Sequence, residues 1–170
     1  VALTSVQMPA NLQTIGQEAF YNCQGLTEVA LPDSVKTIGI RSFSRCVNLT
    51  QLNLPDDIQD LGNDAFSETK LEVLTIPKSM TEIPNYMFSN MSSLKEIQIP
   101  DTVTSIGYGA FSNCTSLKEV VIPDSVVSMD KQLFLGCTSL TNVQLPSKTE
   151  TISYRMFEGC SSLKSITLPD

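Results

Sequence analysis

The sequence predicts a solenoid, in which seven short coils of about 23 residues stack on one another. Eight of the nine prolines and all seven phenylalanines recur once per coil at a constant step, except that one coil is a single residue shorter. The phenylalanines are Phe20, Phe43, Phe66, Phe88, Phe111, Phe134 and Phe157. A fixed period of this length is typical of a solenoid, because each unit is too small to bury its own apolar face.

The first part of each repeat predicts a short β-strand. Leu94, Ile97 and Ile99 occupy its first, fourth and sixth places, with a polar residue between the last two. This alternation fits a strand with one buried face. Pro100 follows and ends the strand, because proline cannot donate a hydrogen bond to a ladder. Like residues of successive coils should then align in ladders with a spacing of about 4.8 Å.

The second part of each repeat predicts a return across the convex side. An apolar pair, such as Val103 and Ile106, turns the chain back inward, and a glycine often follows where the turn is crowded. Ala110, Phe111 and Cys114 then lie one and three or four residues apart. That spacing predicts a single helical or 3₁₀ turn with one buried face.

One repeat carries the pattern L-x-x-I-x-I-P followed by V-x-x-I-G-x-x-A-F-x-x-C, with serine in place of the alanine, at Leu26, Val29, Leu31, Pro32, Val35, Ile38, Gly39, Phe43 and Cys46. This pattern resembles the BspA-like class of leucine-rich repeats, which occurs in bacterial and protist surface proteins. The resemblance implies a leucine-rich-repeat solenoid, an α/β-type right-handed superhelix. Its short parallel strands would lie on the concave side and its 3₁₀ or short helical turns on the convex side. It also implies an extracellular or cell-surface location and adhesion to host or neighbouring-cell ligands.

Residues 1–170 are predicted to form a single leucine-rich repeat domain without a linker. Seven full repeats begin at leucines, and an eighth, partial repeat begins at Leu163. No polar capping repeat is visible at either end, so we expect a fragment of a longer array. No signal peptide pattern is present, and the expected location therefore rests on the resemblance.

Composition argues against several classes of function. The net charge is −7 and the eleven basic residues are scattered, which disfavours nucleic acid and anionic membrane surfaces as partners. No apolar run is long enough to insert into a bilayer. Histidine is absent, so Ser-His and Cys-His nucleophile pairs are impossible, and no nucleotide-binding glycine motif occurs. The sequence predicts no enzyme, no cofactor and no catalytic residue.

The cysteines are predicted to belong to the core. Cys23, Cys46, Cys114, Cys137 and Cys160 occupy the same place in five different repeats, so they are far apart in the chain. A metal site needs close ligands, and a disulfide needs side chains that point toward each other. We therefore expect buried, small apolar side chains that stack on one another and hold no metal.

The third coil departs most from the consensus. It is one residue short, and it contains an acidic stretch without a basic residue, made of Asp56, Asp57, Asp60, Asp64 and Glu68. Two interpretations are open. The favoured one is a solvated acidic surface; the other is a calcium site, for which six or more oxygens would have to converge.

The strand residues that flank the buried place are the candidate binding residues of the concave face. These are Glu28, Gln51, Val73, Glu96, Gln98, Glu119, Val121, Asn142 and Gln144. The predicted face is polar and mildly acidic, and it carries no aromatic residue. A second candidate surface is a convex row of Tyr86, Tyr108 and Tyr154, although tyrosines that merely cover the edge of the core fit the pattern better.

Two functions remain open from the sequence. The first is a binding scaffold that engages an extracellular protein or glycan, with the chain a monomer or only weakly associated. The second is a structural spacer that displays a binding region located outside these coils. The regular repeats and the plain concave face favour the spacer, whereas the resemblance favours the scaffold.

Overall fold

The computed structural model describes residues 3–166, which form a stack of coils with parallel strands. We number the coils 1 to 7 from the leucines at residues 3, 26, 49, 71, 94, 117 and 140. The strands of the described part are β1 (Thr14–Ile15), β2 (Glu28–Val29), β3 (Thr37–Ile38), β4 (Gln51–Leu52), β5 (Asp60–Leu61), β6 (Val73–Thr75), β7 (Glu82–Ile83), β8 (Glu96–Gln98), β9 (Ser105–Ile106), β10 (Glu119–Val121), β11 (Ser128–Met129) and β12 (Asn142–Gln144).

The even-numbered strands form one side of the solenoid, which we call ladder B. They pair in parallel, β2 with β4, β6 with β8 and β10 with β12. In β8 the middle residue Ile97 is buried, and Glu96 and Gln98 on either side are exposed. The predicted strand with one buried face is therefore confirmed, and the apolar place of each strand points into the core because burial removes its surface from water.

The odd-numbered strands form a second side, ladder A, which the sequence analysis treats as a turn. They pair in two parallel groups, β1-β3-β5 and β7-β9-β11. The backbone N–H of Gly107 donates to the carbonyl of Ile83 at 2.8 Å, across neighbouring coils. The expectation of a simple turn is wrong here, because a pair such as Thr14-Ile15 is extended and alternates an exposed with a buried side chain like any short strand.

The third side consists of hydrogen-bonded turns, and no helix occurs between residues 3 and 166. The predicted helical or 3₁₀ turn around Phe111 is thus not observed. Each turn segment has two residues of positive φ, such as Gly109 at 58° and Asn113 at 58°, whereas helical residues require negative φ. As a result, alternate N–H groups point at the next coil; the N–H of Phe111, for example, donates to the carbonyl of Leu133 at 3.1 Å.

The core lies between these three sides and contains the phenylalanine rings. Five of the rings have no exposed surface: Phe43, Phe66, Phe88, Phe111 and Phe134. Neighbouring rings stack with centroid distances of 5.2–5.9 Å. The stacking is interrupted once, between Phe66 and Phe88. The predicted alignment of like residues is therefore present for the phenylalanines as two rows, one of three rings and one of four rings.

Candidate functional site

The outward side chains of ladder B form the surface that the sequence analysis proposes for binding. Parallel pairing places Glu28 beside Gln51, and Val73 beside Glu96. The same pairing places Glu119 beside Asn142, and Val121 beside Gln144. All nine candidate residues are exposed, in two rows that follow the axis of the solenoid. We call this surface the ladder B face.

The ladder B face has unused hydrogen-bonding and charge capacity. Within residues 3–166, the amides of Gln51, Gln98, Asn142 and Gln144 form no side-chain hydrogen bond, and the carboxylates of Glu28, Glu96 and Glu119 have no basic partner within 4.0 Å. In this state the amides can donate to and accept from a partner, whereas the carboxylates can only accept. The arrangement suits contacts with polar groups spaced along an extended ligand.

Two valines interrupt the polar rows of the ladder B face. Val73 exposes 59% of its surface and Val121 exposes 56%. Shallow depressions of about 380 Å³ and 230 Å³ lie along the face, the first around Glu28 and Gln51 and the second around Val73 and Thr75. A depression of about 910 Å³ adjoins the face beside Thr75 and Gln98. The face therefore offers polar contacts along its length and small apolar contacts at the two valines.

A groove on ladder A was missed by the sequence analysis. It has a volume of about 600 Å³ and extends from coil 2 to coil 6, with Asp60, Glu82 and Asp130 among its lining residues. Its floor includes Gly62 and Gly107, where an added Cβ would collide with the backbone of the preceding coil. The glycines are thus required by close packing of neighbouring coils. The alternation in Ser105-Ile106-Gly107 was the signal in the sequence.

The three candidate tyrosines do not form one continuous row. The rings of Tyr86 and Tyr108 meet edge to face, with centroids 5.2 Å apart. Tyr86 has this position because its neighbour in the next coil, Gly109, has no side chain. Tyr154 is separate and exposes 59% of its surface, and the guanidinium carbon of Arg155 lies 5.0 Å from its ring centre. The structure therefore offers a pair and a single tyrosine as contact points.

The cysteines are free thiols, and four of the five are buried. The thiols of Cys46, Cys114, Cys137 and Cys160 each donate to the carbonyl of the phenylalanine 26 residues earlier, at 3.0–3.1 Å. Burial raises the pKa of Cys46 to about 11 and that of Cys137 to about 12. Since the reactive form is the thiolate, these side chains are poor nucleophiles and act as cross-coil hydrogen-bond donors.

The acidic stretch of coil 3 is dispersed over the surface. Asp57 pairs with Lys36 at 3.3 Å, and Glu68 pairs with Arg45 at 3.1 Å. Partial burial raises the pKa of Asp64. No group of three or more acidic or cysteine side chains within residues 3–166 is arranged to hold a metal ion.

Comparison with known proteins agrees with this geometry. The sequence profile of the BspA type leucine rich repeat region matches residues 1–114 and 59–170, in six copies. The chain belongs to the BspA-type leucine-rich repeat family. A search of curated proteins gave no significant match.

Several solved structures of bacterial leucine-rich repeat proteins are similar. The leucine rich repeat protein of T. pallidum is 34% identical with a TM-score of 0.81, over 89% of this chain and 72% of that one. A leucine rich cell surface protein of Faecalibacterium prausnitzii is 23% identical with a TM-score of 0.69, over 93% of this chain and 52% of that one. The pneumococcal vaccine antigen PcpA is 22% identical with a TM-score of 0.57, over 94% and 54%.

The last two likenesses show the shared fold, and this BspA-type chain spans about half the length of those two proteins. No helix in residues 3–166 has the length and apolar character needed to cross a membrane. The match to the family profile covers the whole stack of coils.

Proposed function

We propose that this chain is a non-catalytic interaction scaffold of a cell-surface or secreted protein, and that its ladder B face binds an extracellular protein or glycan. The observation that carries the proposal is the set of unused amide and carboxylate groups, which recur on adjacent strands of the ladder B face. Surface location is supported by the likeness to a protein described as a cell surface protein.

The chemistry of the remaining side chains supports a role without catalysis. The sequence has no histidine, and burial raises the pKa of the Cys114 and Cys137 thiols. A neutral buried thiol lacks the thiolate that nucleophilic catalysis needs. The ladder B carboxylates lie in an open, hydrated surface, so they suit recognition better than acid–base chemistry.

A polar partner fits this face better than an apolar one. The outward places of ladder B carry amides, hydroxyls and three carboxylates, and no aromatic side chain. Protein contacts of high affinity usually centre on tryptophan, tyrosine or arginine. We therefore expect the partner to supply basic and aromatic groups, and the affinity of a single contact to be modest.

The ladder B proposal is tested with a double charge reversal. Glu96→Lys plus Glu119→Lys replaces two carboxylates of the ladder B face that lie on successive coils. The chain is screened against extracellular-matrix proteins and immobilised glycans, and any saturable binding is then measured for the variant. We expect binding to fall at least tenfold, because a basic partner would now meet like charge.

A matched control separates a specific loss from a change of total charge. Glu82→Lys plus Glu150→Lys changes the net charge by the same amount at two exposed places away from ladder B. This control should bind as the wild type does. Equal loss in both variants would contradict a site on the ladder B face.

A structural spacer is the second candidate function. The regular period of the sequence and the lack of an aromatic residue on the ladder B face favour it. In that case the chain itself would bind none of the screened ligands, whereas a longer protein containing it would bind. That pair of results would replace the scaffold proposal.

A further inference from the structure

The boundary between coils 3 and 4 is the point where both ladders stop together. No backbone pairing joins β4 to β6, and none joins β5 to β7. Ladder B has one other gap, between β8 and β10, but there ladder A continues from β9 to β11. Within residues 3–166, coils 3 and 4 are thus the neighbouring coils that share no strand pairing on either side.

The missing residue of coil 3 accounts for the gap in ladder B. From Phe66 to Leu71 the chain advances five residues, whereas from Phe43 to Leu49 it advances six. The deletion lies between the cysteine place and the first strand of coil 4. A parallel ladder needs a constant register, so a coil that is one residue short brings β6 in at an offset from β4. The N–H of Lys70 donates instead to the carbonyl of Leu49 at 3.0 Å, and this bond joins the two ends of coil 3 without crossing the boundary.

Pro84 accounts for the gap in ladder A. At this place in other coils, the N–H groups of Gly39, Gly62, Gly107 and Asp130 donate to an isoleucine carbonyl of the preceding coil at 2.8–3.0 Å. Proline has no N–H group and cannot make this bond to the carbonyl of Leu61. The absence of this hydrogen bond at the boundary therefore follows directly from the proline in the sequence.

Core contacts are interrupted at the same boundary. The rings of Phe66 and Phe88 are not stacked, although their neighbours on either side are. Met91 of coil 4 brings no donor to the cysteine place, so the cross-coil donation made by Cys46 and Cys114 is absent between coils 3 and 4. It is also absent between coils 2 and 3, where the hydroxyl of Thr69 donates to Phe66 of its own coil.

The turn side has one backbone hydrogen bond fewer between coils 3 and 4 than between other neighbouring coils of residues 3–166. The N–H groups of Asp64 and Glu68 donate to Asn85 and Ser89, both at 3.0 Å. Every other pair of neighbouring coils in the described stack has three such bonds on this side. One side-chain bond is added, from the N–H of Asn85 to Oδ1 of Asn63 at 3.0 Å.

We propose that this boundary is a flexible joint that divides the solenoid into two rigid blocks, residues 3–70 and residues 71–166. In a solenoid each coil contacts only its neighbours, so a boundary with weak contacts on all sides opens and bends independently of the coils beyond it. The joint opens before either block unfolds, and it changes the angle between the two halves of the ladder B face. This inference does not depend on the proposed function.

Amide hydrogen exchange measured by NMR on the complete chain tests the joint. Asp64 and Glu68 donate across the joint, and Arg41 and Arg45 donate from the same repeat places across the boundary of coils 2 and 3, at 3.0 Å in all four cases. After correction for intrinsic rates, we expect the first pair to exchange about tenfold faster, the effect of losing one or two net hydrogen bonds. Equal protection of the two pairs would overturn the proposal.

A repaired variant provides the converse test. Pro84→Gly combined with one asparagine inserted between Lys70 and Leu71 restores the N–H group and the regular period of the repeat. Protection of Asp64 and Glu68 should rise to the level of Arg41 and Arg45. Pro84→Gly alone keeps the chain length and should give part of this gain in protection. This variant still tests the joint if the insertion prevents folding.

The matched control places the same asparagine between Asn48 and Leu49, at the end of a coil that already has the full length of the repeat. Protection of Asp64 and Glu68 should not rise in this variant, because the register at the joint is unchanged. A rise in the control as large as in the repaired variant, or no rise with Pro84→Gly and with the repair, would overturn the joint.

Discussion

Cysteine at its place in the repeat is a hydrogen-bond donor of suitable size for the core. The thiol of Cys137 donates to the carbonyl of Phe111 at 3.0 Å, and that carbonyl also accepts the N–H of Cys114. Where threonine replaces cysteine, at Thr69, the hydroxyl bonds to the phenylalanine carbonyl of its own coil. A small side chain with a donor thus adds a second hydrogen bond to a buried carbonyl, which has two lone pairs and no access to water.

The thiols should differ sharply in reactivity. Burial raises the pKa of Cys46 to about 11 and of Cys137 to about 12, so little thiolate exists near pH 8, whereas Cys23 is only partly buried. Titration of the native chain with Ellman's reagent at pH 8 should show one fast thiol, and all five after unfolding. In Cys23→Ser the fast phase should disappear. Fast reaction of a second thiol in that variant would mean that the core is open at the cysteine places.

The phenylalanine rings are the largest buried side chains of the repeat. Phe111 is fully buried between Phe88 and Phe134. Phe111→Ala should lower the free energy of unfolding by roughly 3–5 kcal/mol, because it removes contacts and leaves a cavity. Denaturant unfolding followed by circular dichroism measures the loss. Phe20→Ala, at a partly buried ring, should cost less, and a loss below about 1 kcal/mol for Phe111→Ala would contradict its interior place.

At the scale of the element, the turn side shows how a segment can be apolar at helical spacing without being a helix. Arg41 and Arg45 have φ of 55° and 63°, in the left-handed region that non-glycine residues seldom adopt. The strain is compensated because their N–H groups reach Asn63 and Ser67 of the next coil. Intercoil hydrogen bonds, which no local pattern contains, replace those within a helix.

Glycine on the turn side is needed where φ is positive and the preceding coil is close. Gly136 has a φ of 73°, and an added Cβ would contact Oδ1 of Asn113. Gly136→Ala should therefore destabilise the chain by about 1–2 kcal/mol, the cost of a left-handed backbone with a Cβ. Gly16 has open space around its Cα, so Gly16→Ala should be neutral or stabilising by up to about 1 kcal/mol.

Denaturant midpoints of the two glycine variants provide the measurement. The prediction is wrong if both variants shift the midpoint in the same direction by the same amount. The chemical change is identical in the two variants, so a difference between them reports the backbone conformation and the close neighbour at Gly136 together.

At the scale of the whole molecule, contacts run only between neighbouring coils, so the effect of a mutation should be local. Phe43 lies in residues 3–70 and Phe134 in residues 71–166, and each stacks only on rings of its own block. Phe134→Ala should therefore reduce the amide protection of residues 71–166 and spare that of residues 3–70. Phe43→Ala should do the reverse.

Native-state hydrogen exchange of both phenylalanine variants checks this locality. Equal loss of protection along the whole stack in either variant would mean that the seven coils form one cooperative unit. That result would also count against the joint between coils 3 and 4.

The period of the prolines and phenylalanines was enough to predict the solenoid, the coil boundaries and the buried places. The exposed residues of the ladder B face could also be predicted, because the alternation in segments such as Glu96-Ile97-Gln98 indicates directly which side chains face water. The family followed from the same residues. These features are local and repeated, so seven copies of a weak signal add up to a strong one.

Ladder A, the turns of the third side and the interruption at coil 3 required the folded chain. Thr37-Ile38 is too short to identify as a strand until Thr14-Ile15 lies beside it. The spacing of Ala110, Phe111 and Cys114 fits a helix and a turn equally well, and bonds to the next coil select the turn. A missing residue and a single proline are visible in the sequence, but their shared effect appears only where coils 3 and 4 meet, because hydrogen bonds between coils are contacts of residues far apart in the chain.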